Sequence, residues 1–328
     1  AIQNADLILA VGTRISIRQV GYNWKTWARA AEVIMVDIDQ AEMKKPTLHV
    51  EMPIWADAKD FLSKLDEAAV FPVNDQPEWL DVCQRWKKEY PVLPKHWQEN
   101  GSTANVYAFV RYLSSRLPEN SLTAVSNGAC CVVGNQAYVI QKESRMTNNS
   151  AIASMGYGLP AAIGTCISGG KRTTICLEGD GSIMMNLQEL QTIMTNHLPI
   201  KIFLINNNGY HSIRITQTNL FNKNFVGIGE ESGDLSFPEF RKIAEAFGYP
   251  YFAAHSNEEM KSVVDKTLSM DGPIFCEIFT DTKQVWEPKS STKRLSDGTL
   301  VSPPLEDLAP FLPREELEKQ MFIPLATE

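Results

Sequence analysis

The chain has 328 residues, 44% of them hydrophobic and 21% charged, and a formal net charge of −8. That length allows two domains, and the composition is that of a soluble globular protein. The acidic balance argues against nucleic acid as the main partner, and no apolar run approaches the roughly 20 residues needed to span a bilayer.

The chain opens at Ala1 and runs almost at once into an apolar strand, residues 7–12. It reads as starting inside a domain, with no signal peptide, and is expected to be a piece of a longer protein. A polar loop from Thr13, a short helix near Trp24–Ala31, a strand at 33–38, a short helix from Gln40, a strand at 49–52 and a helix at 57–68 follow. This alternation predicts a parallel sheet with flanking helices. Asp37 and Asp39 close the second strand. In a Rossmann-like setting such a carboxylate can bind a ribose hydroxyl; the alternative is that Asp39 caps the next helix.

Residues 71–104 are Pro-rich and polar around one helix, 77–90, with Trp79, Leu80, Cys83 and Trp86 on one face, and read as a linker. A helix over 105–117 reopens the alternation. Strands are predicted at 122–126, 145–147, 173–178, 200–206, 249–253 and 273–279, and helices at 131–141, 157–168, 183–196, 237–247 and 257–270. Six strands with five crossovers make one doubly wound α/β domain. Residues 281–328 lack periodicity and read as a tail wrapping the surface.

The six cysteines (83, 130, 131, 166, 176 and 276) show no CxxC or zinc spacing. Cys176 and Cys276 sit in apolar strand patterns and read as small core residues, and reduced thiols in a cytoplasmic protein are the expectation.

The informative stretch is 175–210. An apolar strand breaks at Glu178-Gly179-Asp180-Gly181-Ser182, a helical pattern follows to Pro199, and a second buried strand ends in Asn206-Asn207-Asn208-Gly209. In a parallel sheet both turns lie on the carboxyl edge, where ligands bind. Asp180 and Asn207, 27 residues apart, would then face one point. Glycines let backbone N–H groups approach an anion, and a helix N-terminus favours negative charge. Hard oxygen ligands beside an anion-binding turn suit Mg²⁺ holding a diphosphate. The plain alternatives are an ordinary βαβ unit with a polar turn, and an asparagine run serving a left-handed turn.

Four motifs in order carry a family resemblance: VDIDQAEMKK (36–45), SMGYGLPAAIG (154–164), GDGSIMMNLQEL (179–190) and LPIKIFLINNNGY (198–210). Together they resemble the thiamine-diphosphate (ThDP) enzymes, and within them the acetolactate synthase (acetohydroxyacid synthase) large-subunit-like group. The resemblance implies a ThDP diphosphate-binding domain at 105–280, preceded by the C-terminal part of a central Rossmann-like domain at 1–70. It implies Mg²⁺ held by Asp180, Asn207 and the Gly209 carbonyl, with Gly181 and Ser182 donating to phosphate. It places Met155 beneath the bend of the cofactor and the backbone of Ala153 and Met155 against the aminopyrimidine. Gly128, Gly179 and Tyr210 complete the implied cofactor set. The central domain of the family carries FAD, ADP or an empty relic of that site, and FAD is left open here.

The implied reaction decarboxylates a 2-oxoacid such as pyruvate and transfers the carbanion to a carbonyl acceptor. The family's activating glutamate lies in an N-terminal domain of the partner subunit and not in this chain. The chain alone is therefore expected to be inactive, and the enzyme to be a homodimer or homotetramer with shared sites. Three departures matter. Gly128-Ala129-Cys130 stands where acetolactate synthases carry Gly-Gln-His, and Thr216 where they carry a Trp. His211-Ser212 replaces Gly-Met, which makes His211 a candidate donor or base, or simply a surface or helix-starting residue. These departures bring in a 2-oxoacid decarboxylase or C–C lyase as an alternative. A non-catalytic cofactor-binding paralogue is a second alternative. A plain dinucleotide protein is disfavoured, since no GxGxxG follows the first strand.

Overall fold

The computed structural model describes residues 1–68, 76–99, 101 and 103–326. Part of the expected linker (71–75, 100 and 102) lies outside the described residues. The chain divides into two compact units, Ala1–Glu89 with the segment from Glu287, and Tyr90–Trp286.

The first unit is built on a three-stranded parallel sheet, β1 (Leu7–Val11), β2 (Glu32–Asp37) and β3 (Met52–Trp55), in that order. Short helices α1 (Ile17–Val20) and α2 (Gln40–Met43) and longer helices α3 (Ala58–Ala68) and α4 (Pro77–Glu89) accompany it. Ala10, Val33 and Met35 form its core with Val20 and Trp27. The third strand lies three residues later than the pattern at 49–52 suggests. Pro53 sits inside it, which an edge strand tolerates because its N–H side needs no partner. The helix expected near Trp24–Ala31 shrinks to one 3₁₀ turn, Trp24–Thr26, and Ala28 then takes a positive φ of 49°. Asp39 caps α2, its Oδ1 accepting the Ala41 N–H at 2.8 Å. The C-terminal segment completes this unit: Glu306 Oε2 accepts from Gln3 Nε2 at 2.7 Å, and Phe322 lies against Trp79 and Trp86.

The second unit is a six-stranded, wholly parallel sheet flanked by helices. In chain order it runs α5 (Lys95–Gln98), α6 (Val106–Arg116), β4 (Leu122–Val125), α7 (Ala129–Ala137), β5 (Arg145–Asn148), α8 (Gly158–Ser168) and β6 (Thr174–Gly179). It continues with α9 (Asp180–Ile183), α10 (Glu189–Thr195), β7 (Ile200–Asn206), α11 (His211–Leu220), α12 (Phe240–Ala246), β8 (Tyr251–Ala254), α13 (Asn257–Ser269) and β9 (Ile274–Phe279). The strand order is β5-β4-β6-β7-β9-β8, every pair parallel. The doubly wound α/β expectation therefore holds, strand for strand.

The sheet is covered on both sides, so its central strands read as unbroken apolar runs. Phe203, Ile205, Ile175 and Leu177 face one core with Phe109 and Leu113 of α6; Ile202, Leu204 and Cys176 face the other with Leu159, Leu190 and Phe240. All six cysteines are free thiols, five of them buried. No helix among the described residues is long and apolar enough to cross a membrane.

Two helices depart from the periodicity. The single helix expected over 183–196 is split into α9 and α10. Asn186 lies in the break, and its Nδ2 donates to Gly156 O at 2.7 Å, a tertiary bond that holds the backbone in short turns. Helix α11 has no counterpart among the helices expected from pattern. Its Ile213, Ile215, Thr216 and Thr218 are β-branched and poor helix formers, and what holds it is the burial of His211 and Arg214.

Phe203 is fully buried, with the Phe109 ring 5.7 Å away. Phe203→Ala is expected to lower the unfolding free energy by about 3–5 kcal/mol, read from urea denaturation followed by circular dichroism.

Candidate functional site at the carboxyl edge

The order β5-β4-β6-β7 puts four adjacent strand ends, and the loops that follow them, along one edge. After β4 the chain moves outward to β5 and then crosses back to β6. The crevice between β4 and β6 is thus a topological switch point, where open α/β sheets bind ligands. Every residue singled out from sequence for cofactor binding lies at one of these four strand ends, on the loop that follows, or at the start of the next helix.

The β6 and β7 ends are in register, Gly179 beside Ile205. Asp180, 2% exposed, begins α9. Its Oδ1 accepts the Gly181 N–H at 2.8 Å, and its Oδ2 accepts the N–H groups of Asn207 at 3.1 Å and Gly209 at 2.8 Å. Burial pushes the Asp180 carboxyl up to about 7, while those N–H groups and Arg214 pull the other way. Asn207 is buried, and its side-chain Oδ1 has no hydrogen-bond partner. Asn208, not Asn207, carries the left-handed backbone (φ 55°). The turn geometry therefore explains Asn208 and leaves the Asn207 amide oxygen unexplained.

Two glycines are sterically obligatory. A Cβ on Gly209 (φ 123°) would lie 1.9 Å from Ile228 O, and one on Gly181 would lie 2.3 Å from the Tyr210 ring. Tyr210 is pinned there by its N–H to Ile228 O at 2.8 Å and by the edge of Phe237. The Gly209 carbonyl accepts the His211 N–H at 3.0 Å, which leaves one lone pair.

The other side of the crevice is built by β4 and β5. Ser182 Oγ accepts the Gly156 N–H at 2.9 Å and bonds Ser126 Oγ at 2.9 Å, tying three strand ends together. The Ser182 hydroxyl thus serves the fold as well as facing the crevice. Ala153 takes a positive φ of 54°, and its carbonyl accepts from Asn127 Nδ2 at 3.3 Å. Met155 follows on the same loop and is 39% exposed, so it is not a core methionine. Gly128 (φ 59°) precedes α7, and a Cβ there would meet nothing within 4 Å. Next to it Cys130 is fully buried, and burial drives its thiol well above the usual range.

His211 opens α11 with its ring buried. Nε2 lies 2.6 Å from Gln284 O, Nδ1 lies 3.1 Å from Arg214 Nη1, and Trp286 packs edge-on. Both nitrogens are engaged within the fold, and the burial of the residue overturns the reading of His211 as a surface histidine.

Sequence reasoning passed over three residues. Arg214 lies beneath the Asn turn and bonds two of its carbonyls. Glu178 is fully buried, its Oε1 accepting the Gly179 N–H at 3.0 Å; a Cβ on Gly158 would lie 2.1 Å from its Oε2. Asn206 accepts the Asn208 N–H on Oδ1 at 2.9 Å and donates to Glu277 at 2.6 Å. The available signal was charge: Arg214 is the one formally charged residue in His211–Leu220.

The donor set is one carboxylate, one amide oxygen and one carbonyl. Among the described residues no group of three or more His, Cys, Asp or Glu could hold a metal. Too few protein oxygens are present to cage a cation alone; they fit a hard cation that shares its remaining positions with phosphate oxygens and water.

Comparison with known proteins identifies the family. The thiamine pyrophosphate enzyme C-terminal TPP binding domain matches residues 126–278, and the thiamine pyrophosphate enzyme central domain matches residues 1–65. The chain belongs to the thiamine pyrophosphate enzyme family. It is 30% identical over 288 residues to the acetolactate synthase large subunit of Cyanidium caldarium, covering 87% of this chain and 48% of that protein. It is 30% identical over 289 residues to the acetolactate synthase isozyme 2 large subunit of Escherichia coli (strain K12), covering 87% and 50%. It is 28% identical over 287 residues to acetolactate synthase 2, chloroplastic, of Zea mays, covering 85% and 44%. The chain spans about half the length of the curated relatives it matches.

Two measurements check this geometry. Gly209→Ala adds a clash to an unfavourable φ, whereas Gly128→Ala meets only the φ, worth on the order of 1–3 kcal/mol. Gly209→Ala should therefore melt lower than Gly128→Ala. The second check concerns pH. A carboxyl near 7 when folded and 3.8 in its reference state binds its proton more tightly in the folded chain. That stability is present at low pH and is lost as pH rises through the interval. In chelator, wild type should lose melting temperature relative to Asp180→Asn as pH goes from about 4 to about 7.

Proposed function

We propose that the chain is the cofactor-binding part of a ThDP- and Mg²⁺-dependent enzyme of the acetolactate synthase kind. It decarboxylates a pyruvate-like 2-oxoacid and transfers the remaining carbon unit to a carbonyl acceptor. The observation that carries this is the buried, unpartnered Asn207 Oδ1 on the very turn that Asp180 holds. A buried amide oxygen without a donor costs about 1–3 kcal/mol, and a cation removes that cost. The Asp180 carboxyl, raised by burial, gains the same relief.

Asp180, Asn207 and the Gly209 carbonyl would hold Mg²⁺, with phosphate oxygens and water completing its shell. Gly179, Gly181, Ser182 and Gly128 let the edge approach a diphosphate closely. Tyr210 supports Gly181 from below. The exposed side chain of Met155 and the backbone of Ala153 would take the organic part of the cofactor. ThDP supplies a nucleophilic carbon and an electron sink for decarboxylation. The chain's own residues bind and orient it. The working enzyme is a homodimer or homotetramer with shared sites.

A second reading, a 2-oxoacid decarboxylase or C–C lyase, is favoured by Thr216. It is exposed, its hydroxyl turned back to Ser212 O at 3.1 Å, where the resemblance has a bulky Trp. Such a helix face offers an acceptor less apolar surface.

Calorimetry of the full-length protein tests the cofactor reading. ThDP should bind only with Mg²⁺ or Mn²⁺, and Asp180→Asn and Asn207→Ala should abolish binding. Binding that ignores chelator would overturn it. Product analysis with pyruvate then separates transfer, which gives acetolactate, from simple decarboxylation, which gives acetaldehyde.

A further inference from the structure

Arg214 is 4% exposed, in the first turn of α11. Nη1 donates to Asn207 O at 3.1 Å and Nη2 to Asn208 O at 2.7 Å. Nη1 also lies 3.1 Å from His211 Nδ1, and Nε donates to Glu231 Oε2 at 3.1 Å. The His211 ring is fixed in turn by Gln284 O.

These bonds grip individual peptide groups from both ends. The peptide joining Asn208 to Gly209 gives its C=O to Arg214 and its N–H to Asp180 Oδ2, at 2.7 and 2.8 Å. The peptide joining Asn207 to Asn208 gives its C=O to Arg214 and its N–H to Asn206 Oδ1, at 3.1 and 2.9 Å. The turn is thus stretched between a guanidinium on one side and a carboxylate on the other. Two consecutive carbonyls need two donors at a fixed spacing. The planar fork of an arginine provides that, and the single ammonium of a lysine does not.

We infer that Arg214 is a positioning residue for the cation site. By locking both peptides it sets the aim of the Asn207 side-chain oxygen and of the Gly209 carbonyl. Asp180, which it faces across the turn, is thereby left to act as both turn acceptor and cation ligand. Glu231 holds Arg214 in this pose from the solvent side. This inference rests on the ThDP and Mg²⁺ reading of the same edge.

The test uses the full-length protein with Arg214→Lys, which keeps the charge and loses the fork, and Glu231→Gln, which loosens the fork from outside. Calorimetry measures ThDP binding as a function of Mg²⁺, and Mn²⁺ electron paramagnetic resonance reads the metal shell directly. Arg214→Lys should need about 10–100-fold more Mg²⁺ for half-maximal ThDP binding, the size usual for residues that orient metal ligands. Binding should recover at saturating Mg²⁺, with an altered Mn²⁺ spectrum. Glu231→Gln should shift the Mg²⁺ requirement the same way by a few-fold.

A folded Arg214→Lys with the wild-type Mg²⁺ requirement overturns the inference. So does a loss of ThDP binding that no Mg²⁺ concentration restores, which would mark Arg214 as a general structural residue. If Arg214→Lys fails to fold, Glu231→Gln decides, and an unchanged Mg²⁺ requirement counts against the inference. A wild-type protein without Mg²⁺-dependent ThDP binding is a different failure, that of the cofactor reading itself.

Discussion

The Asp180 carboxylate organises the carboxyl edge of the second unit. It is buried at the end of β6 and accepts N–H groups from its own turn and from the turn after β7. A buried charge is tolerated only when hydrogen bonds or a counter-charge meet it. Here three N–H groups meet it in part, and its proton affinity stays raised. The tension has two consequences. It draws the Asn turn across the sheet edge into a single conformation. It also leaves a carboxylate whose remaining demand suits a cation.

Close packing then limits what can surround that carboxylate. Tyr210 lies so near Gly181, and Ile228 O so near Gly209, that a side chain at either glycine would collide. Gly158 makes the same allowance for Glu178 beneath the first turn of α8. The Ser182 hydroxyl carries the constraint across the switch point to Gly156 and Ser126. The loop holding Ala153 and Met155 is therefore tied to the same turn as Asp180. The two sides of the crevice are mechanically one piece.

The first unit has its own logic. Its parallel strands bury Ala10, Val33 and Met35, and the C-terminal segment is bonded into it through Gln3, Arg29 and Glu306. The aperiodic sequence there hid this association, because it rests on contacts between residues far apart in the chain, Gln3 with Glu306 and Trp79 and Trp86 with Phe322. The same unit shows how a local role can absorb a suggestive residue. Asp39 lies two residues beyond the end of β2, and its side chain caps α2.

Much of this was legible in the sequence. Apolar runs broken by turns specified the central strands, because strands buried on both faces must be apolar throughout, and the alternation with helices placed the edge strands β5 and β8. The Asp-Gly turn and the Asn turn, 27 residues apart, were placed on one edge by the parallel rule alone. Periodicity could not see contacts that depend on the third dimension. It missed α11, whose β-branched residues speak against a helix until Arg214 and His211 are buried beneath the Asn turn. It ran one helix through Asn186, whose side chain is held by Gly156 in the folded chain. It could not see that the fold buries His211 and engages both its ring nitrogens. Sequence by itself determined the strands, their edge and which oxygen-bearing side chains the two turns carry, since these follow from local pattern and covalent order. Only the tertiary structure decided which oxygens are left without a partner and which charges hold them. Burial and hydrogen-bond accounting are properties of the packed molecule.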